Sequence, residues 1–257
     1  MAIVRREAPR ATGERGAQPP PGTVIYAIGD VHGRADLLAE LHEAIAADAA
    51  MRAATRRLMV YLGDYVSRFP RGREVLDALL RPAPPGFERV LLKGNHEDIV
   101  VRFLDGELRA GRHWLRYGGD ATLAEYGVGV PEDDDTALEA ARRRFARALP
   151  RAHEALLRSL ALSHREGGYA FVHAGLLPGV PFDRQAARDL LWIRSRFLRS
   201  REDFGWTVVH GHCIVPAPEV RANRIGLDTG AYRSGVLTCL ALEGASRVFL
   251  QTAPAPD

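Results

Sequence analysis

The sequence has little cysteine, almost no lysine and no long hydrophobic run. Its two cysteines, Cys213 and Cys239, lie far apart and in no CxxC pair, so they give no sign of a zinc or redox site and we expect reduced thiols. No apolar run approaches the ~20 residues of a membrane-spanning helix, and the N-terminus has no apolar signal-peptide core. These absences predict a cytoplasmic protein that does not bind membranes.

Arginine supplies nearly all the positive charge: among 35 Lys and Arg residues only Lys93 is lysine. The formal net charge is +3, and the arginines are interspersed with Asp and Glu instead of forming one basic stripe. Nucleic-acid binding is therefore not expected. The 257 residues, 46% of them apolar, suffice for one large domain. The sequence gives no indication of the oligomeric state.

The chain begins with a segment unlike the rest. Residues 1–22 mix arginine, proline and glycine without hydrophobic periodicity, which predicts a flexible tail. From residue 23 onward, β-rich runs such as VIYAIG alternate with helical patterns such as ADLLAELHEAIAADAA, which predicts α/β units with buried strands. Residues from about 97 to 160 predict a helical insertion, and the second half predicts short strands broken by glycine turns. We therefore expect one domain over 23–257 with an α/β (α+β) architecture of two packed sheets.

Polar clusters follow several apolar runs directly. They are GDVHG (29–33), GDYVSRF (63–69), GNHE (94–97), HAG (173–175) and HGH (210–212). Loop side chains converge beyond the carboxyl ends of strands in α/β sheets, so we expect one shared site. Taken singly, an Asp after a strand can be a helix N-cap, and a lone His can be structural. Together the clusters supply oxygen and imidazole ligands suited to Mn²⁺, Fe or Zn²⁺, which predicts a dinuclear metal centre.

The order of these clusters resembles the phosphoprotein phosphatase branch of the calcineurin-like metallophosphoesterases. The resemblance spans roughly Val24 to Leu250. The segments GGDATLAEYG and GLDTGAY are also similar to those of bacterial members, which include serine/threonine phosphatases and symmetrical diadenosine tetraphosphate hydrolases. The family resemblance implies a four-layer β-sandwich of two mixed sheets flanked by helices. It also implies two divalent metal ions, with manganese expected and iron or zinc as alternatives.

The resemblance carries the metal ligands over cluster by cluster. They are Asp30, His32, Asp64, Asn95, His173 and His212. Asp64 is expected to bridge the two metals. His210, the first histidine of HGH, is expected to lie behind the ligands and not among them.

The resemblance also implies groups that act on the phosphate. Arg68 and Arg194 match positions at which the family places guanidinium groups on phosphate oxygens, a bidentate task, and Asn95 is expected to contact the phosphate as well. Arg34 is a weaker candidate, and a surface salt bridge is the alternative for each arginine. His96 matches the family's general acid, which protonates the leaving group.

One motif departs from the family pattern. The family usually has GDYVDRG where this chain has GDYVSRF, so Ser67 replaces the carboxylate that orients the catalytic histidine, and Phe69 replaces a glycine. His96 is therefore expected to lose the partner that keeps it protonated. Slower catalysis, or a shift to substrates with better leaving groups, follows.

The sequence thus predicts a phosphatase in which a metal-bridging hydroxide attacks phosphoserine or phosphothreonine in proteins. A symmetrical diadenosine tetraphosphate hydrolase is the first alternative, and Trp114, Tyr117 and Tyr126 could then supply an aromatic wall for adenine. A member that binds phosphate with weakened or no turnover is the second alternative, motivated by Ser67 and Phe69.

Overall fold

A computed structural model describes residues 3–14 and 16–253 of the chain. The strands are β1 (Ile3–Glu7), β2 (Thr23–Ile28), β3 (Arg56–Tyr61), β4 (Phe87–Leu91), β5 (Ser163–Glu166), β6 (Tyr169–Val172), β7 (Thr207–His210), β8 (Glu219–Val220), β9 (Arg224–Gly226), β10 (Thr238–Glu243) and β11 (Ser246–Thr252). The helices are α1 (Ala35–Ala50), α2 (Gly72–Leu80), α3 (Asn95–Leu104), α4 (Leu108–Trp114), α5 (Asp120–Glu125), α6 (Asp135–Ala148), α7 (Arg151–Ser159), α8 (Ala187–Trp192), α9 (Ser195–Leu198) and α10 (Ala231–Ser234).

The strands form two mixed sheets. The first has the order β1-β11-β10-β2-β3-β4, in which β2, β3 and β4 run parallel. The second has the order β5-β6-β7-β9-β8, in which β6, β7 and β9 run parallel. Each sheet therefore has three parallel strands, at one side of the first sheet and in the centre of the second, as the alternation of strand and helix patterns predicts.

Apolar side chains fill three layers between four layers of secondary structure. Strand β2 shows how, because all six of its residues are buried. Ile25 and Ala27 face the second sheet, whereas Val24, Tyr26 and Ile28 face the helices on the outer side. This two-residue period with both faces apolar is typical of a strand covered on both sides. A third cluster packs α8 and α9 against the outer face of the second sheet. The predicted architecture of two mixed sheets flanked by helices is confirmed.

Helices α3 to α7 occupy the region between β4 and β5 in which the sequence predicts an insertion. A five-residue π-helical turn, Leu115–Gly119, joins α4 to α5. No helix within residues 3–14 and 16–253 is long and apolar enough to cross a membrane.

The expected flexible tail over residues 1–22 contains a strand instead. Residues Ile3–Glu7 pair antiparallel with β11 and form the edge of the first sheet. Further along, the carbonyl of Gln18 accepts the N–H of Gly168 at 2.8 Å, which ties this segment to the second sheet. The sequence does not indicate this strand because an edge strand is held by main-chain hydrogen bonds, which need no apolar periodicity. Met1, Ala2 and Arg15 lie outside the described residues.

Candidate metal centre

The expected ligands meet where the parallel strands of both sheets end. Asp30 and His32 follow β2, Asp64 follows β3, Asn95 opens α3 after β4, His173 follows β6 and His212 follows β7. All six are at most 7% exposed. Because the two sheets face each other with these strand ends at one edge, loops far apart in sequence deliver polar side chains to one buried place.

Four of these side chains converge around one point. His173 Nε2 and His212 Nδ1 each lie 2.9 Å from Asn95 Oδ1. His173 Nε2 is also 3.6 Å from Asp64 Oδ1. Metal–ligand bonds of about 2.1 Å place neighbouring ligand atoms roughly 3 Å apart, so this spacing fits the shell of a single cation.

A second group shares Asp64 with the first. His32 Nε2 lies 3.3 Å from Asp64 Oδ2, so the carboxylate turns one oxygen toward each group. Asp30 Oδ2 accepts the backbone N–H of His212 at 2.9 Å, while its Oδ1 is buried and has no hydrogen-bond partner in the described part of the chain. His32, Asp64 and His96 offer ligand atoms within 4.8 Å of one another. An unpartnered buried carboxylate oxygen beside such a group fits a second divalent cation.

Backbone carbonyls fix the tautomers of two histidines. His32 Nδ1 donates to the carbonyl of Val66 at 3.0 Å, and His173 Nδ1 donates to the carbonyl of Leu62 at 2.8 Å. Because a carbonyl can only accept, each Nδ1 carries the proton and each Nε2 presents a lone pair to the centre. His210 instead packs edge-on against Phe197, with ring centroids 5.0 Å apart, and belongs to neither ligand group.

Burial sets the charge state of the centre. It lowers the pKa of His32 to about 3 and that of His173 to about 4, so both imidazoles are neutral. Burial also raises the pKa of Asp64 to about 7, against the lowering effect of the Arg68 and Arg194 charges. The pKa of Asp30 is raised for the same reason. Neutral imidazoles beside carboxylates whose pKa is raised by burial are an environment that a divalent cation would stabilise.

The ligand loops have unusual backbone conformations. Among the described residues, five non-glycine residues have positive φ: His32 (43°), Asp64 (55°), Ser67 (73°), Arg68 (72°) and His212 (65°). Glycines beside them allow close approach, since a Cβ on Gly94 would lie 2.1 Å from Asp64 Oδ1 and one on Gly211 would lie 2.0 Å from Asp30 Oδ1. Left-handed non-glycine residues are costly and concentrate at functional sites.

Glu97 braces the loop that carries Asp64. Its buried carboxylate accepts the backbone N–H groups of Asp64 (2.8 Å), Tyr65 (2.8 Å), Val66 (3.2 Å) and Gly94 (2.9 Å). The sequence patterns do not single out Glu97, although it is the last residue of GNHE. A carboxylate that collects several N–H donors after a strand is visible only in the folded chain.

The arginines are arranged differently from one another. Arg68 Nη1 donates to Tyr232 Oη at 2.9 Å, and its guanidinium lies 4.8 Å from the Tyr232 ring centroid. Arg194 is exposed, and its charge acts to lower the pKa of Asp64. Arg34, the weaker candidate, pairs with Asp36 (Nη2 to Oδ2, 2.6 Å) and lies over the Phe69 ring. Arg34 thus fastens two segments together, whereas the phosphate-binding role expected of Arg68 and Arg194 stays a prediction.

Ser67 makes no hydrogen bond to His96 Nδ1. Its hydroxyl oxygen accepts the indole N–H of Trp114 at 2.8 Å, and His96 Nδ1 is buried without a hydrogen-bond partner among the described residues. The His96 ring packs edge-on against His32, with centroids 4.8 Å apart, and its backbone N–H donates to Asp64 Oδ1 at 3.0 Å. The histidine is therefore in place beside Asp64 but lacks an orienting partner.

Two further site residues come from the GLDTGAY segment, whose individual residues have no role assigned from the sequence. Asp228 is 2% exposed, accepts the N–H of Gly230 at 2.9 Å and, after burial, is the largest cause of the raised pKa of Asp30. The Tyr232 ring lies 5.6 Å from that of His32. An Asp after a short strand looks like a turn residue in sequence, so only its position next to Asp30 reveals it.

Comparisons with known proteins agree with this geometry. The calcineurin-like phosphoesterase family model matches residues 23–236. The chain is 25% identical over 227 residues to the asymmetrical bis(5'-nucleosyl)-tetraphosphatase PrpE of Halalkalibacterium halodurans, covering 83% of this chain and 87% of that protein. It is 32% identical over 164 residues to the symmetrical bis(5'-nucleosyl)-tetraphosphatase of Methylococcus capsulatus, covering 64% of this chain and 47% of that protein. The chain thus spans about half the length of the symmetrical relative.

The fold also matches solved structures. A crystal structure titled 'a putative diadenosine tetraphosphatase' superposes with a TM-score of 0.61 at 19% identity, covering 93% of this chain and 97% of that one. At this identity the likeness shows the shared fold alone.

Proposed function

The chain belongs to the calcineurin-like phosphoesterase family, and on that basis we propose that it hydrolyses a phosphoanhydride bond of a nucleoside polyphosphate, with a dinucleoside tetraphosphate as its substrate. That it is a hydrolase of phosphate esters follows from the family. The finer proposal concerns which kind of phosphate bond is cleaved, an anhydride or an ester of serine or threonine. It depends on the groups around His96.

The arrangement of Ser67, Trp114 and His96 is the observation that carries this proposal. The Ser67 hydroxyl is engaged by Trp114, and His96 Nδ1 has no partner in the described part of the chain. A serine or threonine alkoxide is a strong base that must be protonated as it leaves, and that step needs a well-oriented acid. A nucleotide leaves as a stabilised anion and needs less protonation. A weakly supported His96 therefore suits an anhydride better than a phosphoserine ester.

The names of the relatives support the same substrate class. One is an asymmetrical and the other a symmetrical bis(5'-nucleosyl)-tetraphosphatase. The two names differ in the bond that is cleaved, so they favour a dinucleoside tetraphosphate without choosing the position of attack.

The residues divide the work as follows in this proposal. Asp30, His32 and Asp64 would hold one divalent cation, and Asp64, Asn95, His173 and His212 would hold the other. When bound, the cations supply Lewis-acid activation of water and of the phosphoryl oxygens. The mixed oxygen and imidazole set accepts manganese, iron or zinc, and we propose manganese.

The remaining groups bind the substrate and its leaving group. Arg68, held in place by Tyr232, and the exposed Arg194 would bind phosphate oxygens beside Asn95. His96 would face the leaving oxygen, close to Asp64, to which its backbone donates. Burial of the ligands excludes water from all but the open side of the centre.

Hydrolysis of phosphoserine or phosphothreonine in proteins is the second candidate. One observation favours it. Ligand atoms of His96, His32 and Asp64 lie within 4.8 Å of one another, so the residue expected to protonate an alkoxide is present at the centre. The sequence prediction of a protein phosphatase therefore stays a prediction beside the proposed one.

Steady-state kinetics of the purified chain with Mn²⁺ on diadenosine tetraphosphate and on a phosphoserine peptide separates the candidates. We expect kcat/KM for the dinucleotide to exceed that for the peptide at least about a hundredfold, and Asp64→Asn to abolish both activities. Anion exchange of the products distinguishes two ADP molecules from ATP and AMP. A faster reaction with the peptide would establish the protein phosphatase instead, and no turnover of either would leave a phosphate-binding member without catalysis.

A further inference from the structure

Three aromatic side chains extend outward from the metal centre. His113 lies on α4, Tyr117 on the π-helical turn after it, and Trp192 at the end of α8. Their ring centroids follow one another at 4.7 Å (Tyr117 to His113) and 5.6 Å (His113 to Trp192), and Trp192 lies 6.3 Å from His212. We call His113, Tyr117 and Trp192 the aromatic ledge.

His113 and Tyr117 of the ledge are exposed and Trp192 is half-buried, unlike the buried aromatic residues of the insertion. Tyr117 is 51% exposed and is the only aromatic residue among the exposed large hydrophobic side chains of the described chain. Trp114 and Tyr126, the other two candidates for an adenine wall, are 0% and 7% exposed, and Tyr126 Oη is bonded to His153. Those two belong to the core, so only Tyr117 of the three can touch a substrate.

The backbone holds Tyr117 in a fixed relation to Arg68. Tyr117 (φ −117°, ψ 27°) and Gly118 (φ 92°) depart from helical geometry within the π-helical turn. The carbonyl of Gly118 accepts the N–H of Arg68 at 2.9 Å, and a Cβ on Gly118 would lie 2.7 Å from that nitrogen. The hydrogen bond between Gly118 and Arg68 thus links the ledge to the arginine that we propose binds the phosphate.

We propose that the aromatic ledge is a nucleobase-stacking subsite, on which one base of the substrate lies while its phosphates reach the metal centre and Arg68. The proposal rests on the proposed function, because it names the part of a nucleotide that the centre itself does not bind. Aromatic rings stack on any base, since every base has a π face. The subsite therefore accepts adenine and guanine alike.

The test compares ligands with and without a base. ADP and inorganic pyrophosphate are used as competitive inhibitors of p-nitrophenyl phosphate hydrolysis by the Mn²⁺-loaded chain, and both inhibition constants are measured for the wild type and for Tyr117→Ala. We expect the constant of ADP to rise about tenfold in the variant, which corresponds to about 1.4 kcal/mol, while that of pyrophosphate changes less than twofold.

Matched variants separate stacking from general disturbance. Tyr117→Phe keeps the ring and is expected to retain the wild-type constant for ADP. Val130→Ala truncates another exposed side chain, 64% exposed and outside the ledge, and is expected to change neither constant. Equal changes for ADP and pyrophosphate in Tyr117→Ala, or no change in either, would overturn the subsite.

The outcome is independent of the proposed reaction. If the wild type does not cleave diadenosine tetraphosphate but Tyr117→Ala still weakens ADP selectively, the ledge stands and the proposed substrate fails. If the dinucleotide is cleaved and ADP inhibition does not respond to Tyr117→Ala, the substrate stands and the ledge fails.

Discussion

Trp114 donates its indole N–H to Ser67 Oγ at 2.8 Å, and both side chains are completely buried. Ser67 lies in the loop that carries Asp64 and Arg68, whereas Trp114 belongs to the helices on the outer side of the first sheet and packs against Phe103 and Phe145. The hydroxyl that stands in place of a carboxylate therefore attaches the insertion to the catalytic loop.

Restoring a carboxylate at this position is expected to change the leaving-group preference. In Ser67→Asp, the carboxylate can accept from Trp114 and support His96, so turnover on an alkyl phosphate should rise at least tenfold more than turnover on an activated aryl phosphate. Ser67→Asn has the same size without the charge and should give no such difference. Equal gains on both esters in Ser67→Asp would contradict this role of the charge.

Asp64→Asn should have opposite effects on stability with and without a cation. The folded-state pKa of Asp64 is raised to about 7, so its contribution to stability is present at low pH and lost as pH rises through 7. In EDTA at pH 8 we therefore expect the variant to unfold with a free energy about 2 kcal/mol larger than that of the wild type.

With Mn²⁺ at a hundredfold excess over its Kd, the wild type should gain about 2.7 kcal/mol and the variant much less. Urea denaturation under both conditions measures the reversal. Asp183→Asn, which changes a side chain that is 74% exposed, is the control. Its free energy of unfolding should equal that of the wild type both in EDTA and with Mn²⁺. An Asp64→Asn variant that Mn²⁺ stabilises as strongly as the wild type would remove Asp64 from the centre.

Glu97→Gln should weaken the loop around Asp64. The side-chain amide places an N–H₂ group against backbone N–H donors that the carboxylate now accepts, so we expect a loss of about 3 kcal/mol in the free energy of unfolding. Mn²⁺ affinity should fall about tenfold as the ligand loop loosens. Asp98→Asn, one residue along and only paired with Arg102 at 3.6 Å, should stay within about 0.5 kcal/mol of the wild type. Similar values for the two variants would argue against the bracing role.

His42, away from the metal centre, offers a pH test of the fold. Burial, and next the charge of Arg89, lower its pKa to about 4, and its Nε2 is 2.7 Å from Tyr61 Oη. Because the folded pKa lies below the ordinary value, stability from the neutral ring is present above pH 6.5 and lost as pH falls through 4. Between pH 7.5 and 4.5 the wild type should lose about 2 kcal/mol more than His42→Gln, as measured by urea denaturation. Parallel pH profiles of the two proteins would show that His42 does not titrate in this range.

Much of the architecture could be predicted from local patterns. Strand β2 is a run of six apolar or β-branched residues, and its neighbour β3 ends in a similar apolar run followed by a polar cluster. The rule that ligands gather at the ends of parallel strands is sufficient to place Asp30 and Asp64 at one site. The family resemblance, carried by the order of the motifs along the chain, supplies the other expected ligands, and their role stays a prediction.

The rest depends on contacts between distant segments. Nothing in the sequence around Trp192 indicates that its ring contacts His113. Helices α4 and α8 are far apart in the sequence, with β5 and β6 among the elements between them. Strand β1 was missed because two apolar residues followed by two arginines have no helical or strand signature strong enough to detect. The role of Asp228 likewise follows from its interaction with Asp30 and not from its neighbours in sequence.

The proposed cation ligands follow the sheet strands or, like Asn95, open the helix after one, whereas the proposed aromatic ledge comes from α4, the turn after it and α8. In this proposal, the residues that carry out the reaction and those that recognise the base belong to different segments of the chain. Mutations in the ledge can change which molecules are accepted while the reactive centre stays intact, so descendants of such a chain can acquire new substrates without first losing the chemistry.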